Sequence, residues 1–167
     1  MSTLAAPISE TYTQRYEAVL RAANVIGTCS DCDAAADMLL KTLLEVVPFD
    51  YLQLVSFESD NKTVAWHLLY SNGRRHDVPE ADVVLEDTPI ACVHESQQAL
   101  VTADWKAEAR FAKHGEFLNE LGIASTCVLP LTRGKRRLGA LSFGSIHPHA
   151  YPRRKSTFSP WSPTRLR

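Results

Sequence analysis

Apolar residues recur at helical spacing in two places near the N-terminus. Tyr16, Val19, Leu20, Ala23 and Ile26 form one stripe; Ala36, Leu39, Leu40, Leu43 and Val47 form a second at i, i+3, i+4, i+7 and i+11. Two helices are therefore expected, with Ser30, Asp31 and Asp33 as N-cap candidates between them and Pro48 closing the second. The period then changes. FDYLQLVSF and TVAWHLLY read as strands joined by a turn at ESDNK, and the two make a β-hairpin. Period two puts Trp66 and Tyr70 on one face, more in the manner of core residues than of a pocket.

Further along, SNGRRHD reads as a turn and residues 78–87 as irregular and acidic. Thr88-Pro89 is a helix start, a hydroxyl at the N-cap followed by proline at N1. That helix runs to about Gln97, and the strand ALVTA follows. Residues 104–110 are polar and loop-like. Phe111, His114, Leu118 and Leu121 share a helical face that Gly122 stops. ASTCVLPL and RLGALSF are the last strands, so the expected order is α-α-β-β-α-β-α-β-β.

The basic turn Arg133-Gly134-Lys135 lies between those last two strands. So short a connection forces them antiparallel. A phosphate loop would need a helix beginning after its glycines, and here the chain continues as strand. The turn is a solvated hairpin tip, and the glycines of the second strand mark a bulge or a close backbone approach.

At 167 residues, 45% apolar and 22% charged, the chain has the size and balance of one globular domain. Its formal charge of −1 conceals an asymmetry. The segment from Pro152 onward has five Lys/Arg and no acid, which leaves 13 bases against 19 acids, −6, before it. No apolar run approaches the roughly 20 residues of a membrane helix, and nothing at the N-terminus resembles a signal peptide. Four cysteines in a chain this long do not make a disulfide framework, so a cytoplasmic setting is expected.

A series of segments, RYEAVLRAANVI, VVPFDYLQLV, ESQQALVTADW with RF close behind, LGIASTCVLPL, RRLGALSFGS and HAYP, resembles the GAF domain. The resemblance is to the kind at the N-terminus of sigma-54-dependent transcriptional activators of the formate-hydrogenlyase-activator type. It implies an α+β fold: a central antiparallel sheet with terminal helices on one face and a small-molecule pocket on the other. It also implies a sensory input module, usually dimeric, whose output domain lies further down the chain; no enzyme activity is expected, because the cysteine-containing motifs of the GAF proteins that reduce methionine sulfoxide are not seen. The boundaries it gives are a flexible leader over 1–11, the domain over 12–151 and a basic, proline-rich tail over 152–167. The family continues past HAYP with an acidic amphipathic helix, whereas PRRKSTFSPWSPTRLR has three prolines and no acid. Codons permitted for that tail, read in another frame, can encode such a helix. The tail is accordingly expected to be out of frame or disordered, and the input module to be truncated from its output.

In the resembled fold the pocket lies among residues 70–127, so the ligand-binding candidates are Thr88, His94, Asp104, Arg110, Phe111 and Cys127. Thr88 starts a helix whose free N–H groups would favour a small anion, although plain capping explains it equally well. Arg110 beside Phe111 could clamp a carboxylate. His94 and Asp104 could supply polar contacts. No cofactor is expected, nor a metal: Cys29-x-x-Cys32 lacks a second pair, and His147-Pro-His149 lacks a third ligand. The expected partners are a small molecule and a second copy of the chain, with neither nucleic acid nor membrane. One alternative is a GAF-fold dimerisation module with a filled pocket. Another, less favoured, is a cysteine-dependent methionine sulfoxide reductase-like enzyme.

Overall fold

The computed structural model describes residues 32–79 and 83–151. The expected leader, the helix over residues 12–26, Cys29, the capping candidates Ser30 and Asp31, and the 152–167 tail lie outside them.

Helix α1, Cys32–Val46, follows from the second apolar stripe. Ala36, Leu39, Leu40 and Leu43 are buried, at 0–8% exposure, while Asp37, Met38, Lys41 and Glu45 face outward. A last turn is completed by the Val47 N–H donating to the Leu43 carbonyl at 2.8 Å, just before Pro48 breaks the pattern. Asp33 lies inside the helix, so it is not the N-cap.

Strands β1, Tyr51–Phe57, and β2, Thr63–Ser71, form the expected hairpin. Asp60 fixes its turn by accepting from the backbone N–H groups of Lys62 at 2.8 Å and Thr63 at 3.0 Å. Those two donors hold its carboxyl below the ordinary aspartate range. Two short strands then pair with β2: β3, Arg74–Arg75, at one end and β4, Val83–Val84, at the other. Both fall where the sequence reads as turn and irregular chain. They are too short to show a period, and the edge of β2 supplies their pairing.

Helix α2, Pro89–Ser96, precedes β5, Leu100–Thr102, and α3, Ala112–Glu120, precedes β6, Ser125–Arg133, and β7, Arg136–Ser145. The strands make one seven-stranded antiparallel sheet in the order β3-β2-β1-β7-β6-β5, with β4 on the far end of β2. Its central strand β1 is buried on both sides, which is why YLQLV is almost continuously apolar. α1 packs on one face against Leu52, Leu54, Leu68, Leu129, Leu131, Leu141 and Phe143. α2 and α3 cover the other.

Between Leu54 and Val55 the partner on β2 jumps from Leu68 to Trp66, so His67 is an extra residue in a β-bulge. The bulge corrects the expectation for Trp66 and Tyr70. Tyr70 packs on the α1 side, and Trp66 packs on the α2/α3 side with Val55 and Tyr51. A second bulge, at Leu131/Thr132, lies beside the β6–β7 turn. There Gly134 takes φ +62°, as a tight hairpin requires.

Candidate functional site

The sheet face under α2 and α3 carries polar groups where a core strand would ordinarily carry leucine. Tyr51 and Gln53 project from β1, and cross-strand pairing places Ser142 of β7 beside Gln53 and Thr126 of β6 two strands away beside Gly144. Exposures are 0% for Tyr51, 1% for Gln53, 3% for Ser142 and 2% for Thr126. The Tyr51 hydroxyl donates to Gln53 Oε1 at 2.9 Å. Burial raises the Tyr51 phenol far above its usual range, so it stays protonated. The Trp105 indole N–H donates to Thr126 Oγ1 at 3.1 Å. Nε2 of Gln53 and Nε1 of Trp66, both buried, have no acceptor among the described residues.

Aromatic rings wall this polar seam. Trp66 meets Phe117 edge-on, with centroids 6.5 Å apart and planes at 88°. Trp105 lies 6.5 Å from Phe111 and 5.5 Å from His114. The His114 imidazole is pushed down to about 4 by burial. A histidine kept neutral in the fold contributes stability that is complete above its unfolded value of 6.5 and is lost as pH falls from there toward 4. The loss amounts to about 3 kcal/mol at most. Urea midpoints of the parent should therefore fall between these pH values, and His114→Gln should flatten that slope; an equal slope in both chains would remove His114 as its cause.

The six expected ligand residues do not converge on one point. Thr88 caps α2: its Oγ1 accepts from the Ala91 N–H at 3.2 Å and donates to the Leu85 carbonyl at 2.6 Å. Capping uses the Ala91 donor and Pro89 has none, so little of the helix end remains for an anion. His94 stacks edge-on against Phe57, with centroids 4.4 Å apart. Burial, aided by Arg137, lowers its pKa, and its Nε2 is buried without a protein partner. Arg110 is held through Nε and Nη2 by the carboxylate of Glu108 at 2.9 and 2.7 Å, and its guanidinium lies 5.1 Å from the Phe111 centroid. Phe111 itself is 5% exposed and packs in the aromatic wall.

Asp104 and Cys127 lie elsewhere. Asp104 turns to a hollow of about 430 Å³ at the β5 edge, shared with Thr102, Ala103, Ala107, Glu108, His149 and Tyr151. Cys127 faces α1 with Leu129 and Leu131, and burial raises its thiol to about 11. The sequence reading passed over Tyr51, Gln53, Thr126 and Ser142. Its usable signal was a glutamine inside YLQLV and a serine inside GALSFG, polar interruptions on one face of otherwise apolar strands.

The GAF domain sequence profile matches residues 31–167. No curated protein matches the chain in sequence. Among solved structures, the GAF domain of a two-component sensor histidine kinase from Bacillus halodurans superposes with a TM-score of 0.59 at 16% identity, covering 78% of this chain and 82% of that one. Free methionine-R-sulfoxide reductase from Neisseria meningitidis gives 0.57 at 15%, covering 91% and 85%. The GAF domain of a phosphoenolpyruvate-protein phosphotransferase from Coxiella burnetii gives 0.56 at 13%, covering 84% and 83%. Among the described residues no helix is long and apolar enough to cross a membrane.

Proposed function

The chain belongs to the GAF domain family, and we propose from this premise that it is a cytoplasmic sensory input module that binds a small molecule between the sheet and helices α2 and α3. One observation carries this reading: the Tyr51–Gln53 seam, buried among aromatic rings, with a side-chain amide nitrogen that no acceptor among the described residues takes. Buried polar groups of this kind are costly in a core and useful in a recognition site. Arg110 and Phe111, at the entrance to α3, and His94, on α2, are proposed as its rim; Thr88 acts as the helix cap that holds α2 in place. Asp104 and Cys127, from their positions, are proposed to stand outside it. Binding here would shift α2 and α3 against the sheet and be read out across it at α1. The proposed setting is the homodimeric input end of a sigma-54-dependent transcriptional activator, without nucleic-acid contacts of its own.

Catalysis is not part of the proposal. Cys92 is exposed on α2 and Cys127 lies on the other side of the sheet with a raised pKa, an arrangement unsuited to a shared thiol reaction.

The experiment is native mass spectrometry of the full chain as purified. The expected result is a non-covalent adduct of small-molecule mass that is lost on denaturation. A bare mass together with a stable dimer in light scattering would favour the second reading, a GAF-fold dimerisation module. The packing of Trp66 against Phe117 supports that alternative.

A further inference from the structure

The charge of the ligand follows from what surrounds the seam. Trp66 stands opposite Val55, one same-face step along β1 from Gln53. The two side chains are therefore diagonal neighbours, at a Cα separation of about 7–8 Å that long side chains bridge. Each brings an N–H that no protein acceptor takes, and Trp66 Nε1 can only donate. An incoming acceptor would satisfy groups whose burial otherwise costs stability.

Among the described residues, nothing at this depth is positively charged. The buried polar residues among the described ones are serines, threonines and Gln53. The titratable groups facing the seam are neutral: the Tyr51 phenol from β1, and His114 from α3, which is held at about 4. On α2, His94 is also shifted toward its neutral form. Arg110 stays at the surface, paired with Glu108. An anion moved into this environment would lose its hydration and meet no counter-charge. An uncharged carbonyl or ring nitrogen has far less to lose, and flat rings pack well against Trp66 and Phe117.

We infer that the ligand of this face is an uncharged, planar molecule whose acceptor atom takes hydrogen bonds from the Trp66 indole and the Gln53 amide, and that an anion of the same shape is refused. The inference rests on the small-molecule reading above and replaces the small anion suggested by the start of α2.

The test uses the full chain and two pairs of probes that differ in charge: benzamide with benzoate, and nicotinamide with nicotinate, at equal concentration, ionic strength and neutral pH. At least one amide should raise the thermal midpoint by about 2–4 °C, a shift expected of modest, near-millimolar binding. Its carboxylate twin should leave the midpoint where it was. Trp66→Phe, which keeps the ring and removes the donor, should abolish the shift; Gln53→Met should do the same from the other side. A carboxylate shift equal to the amide's overturns the charge selection and leaves the sensor reading standing. An amide shift that survives in both variants overturns the assignment of the site. No shift with any probe overturns the inference, while the sensor reading still stands or falls on the co-purified mass.

Discussion

Gly139→Ala is expected to lose about 3–5 kcal/mol, which is enough to unfold a marginal domain. A Cβ at this position would lie 2.0 Å from the Val55 carbonyl oxygen and 3.0 Å from the Ser56 Cα, both backbone atoms of the neighbouring central strand. No rotamer relieves that contact. The only remedy is to separate β1 from β7 where Ser56 pairs with Gly139, at the middle of the sheet. Urea unfolding followed by far-UV circular dichroism measures the effect. A midpoint within about 0.5 M of the parent's would mean that the strands part at little cost, contrary to their close packing.

Trp105→Ala should cost a similar amount, about 4 kcal/mol, by a different route. Trp105 is 2% exposed and ties the segment after β5 to the sheet through its bond to Thr126. Its ring also supports α3: Gly115 sits so close that a Cβ there would be 3.3 Å from Cε3, and Phe111 and His114 pack around it. Removing the side chain leaves a cavity and an unpaired Thr126 hydroxyl together. Hydrogen exchange should show the amides of α3 losing protection before those of β1 and β7. Trp105→Phe keeps most of the packing and should lose only about 1 kcal/mol. If the alanine variant were no worse than the phenylalanine one, the ring would not be what holds α3.

Much of this architecture is visible in the sequence because it is local. The α1 stripe, the Asp60 turn, the Thr88-Pro89 helix start and the β6–β7 hairpin each depend on residues a few positions apart. Strands β3 and β4 were not legible, since their pairing is imposed by the edge of β2 rather than by any period of their own. The face of Cys127 could have been counted from Leu129 and Leu131, which alternate with it along β6 into the α1 core. The pairing of Arg110 with Glu108 was also within reach, two residues apart and opposite in charge. The polar seam was harder. Gln53 and Ser142 are far apart in the chain, and their meeting depends on the β1–β7 register, which no local pattern specifies.

The bulge at His67 has a consequence for comparing this chain with its relatives. It divides β2 into two halves of opposite parity, so that counting by twos from Trp66 gives the wrong side of the sheet beyond it. Deleting this one residue would leave a regular ladder, Trp66 opposite Val55 and Leu68 opposite Leu54, with Leu69 and Tyr70 still on their present faces. Loss of the extra residue is therefore compatible with both faces of the sheet, whereas a deletion elsewhere in β2 that leaves the bulge in place shifts part of the strand to the opposite face. The same arithmetic applies to alignments. At the 13–16% identity that separates this chain from the three GAF-fold structures above, an alignment that omits the gap at His67 against a strand without the bulge would match residues of the α2/α3 face with residues of the α1 face.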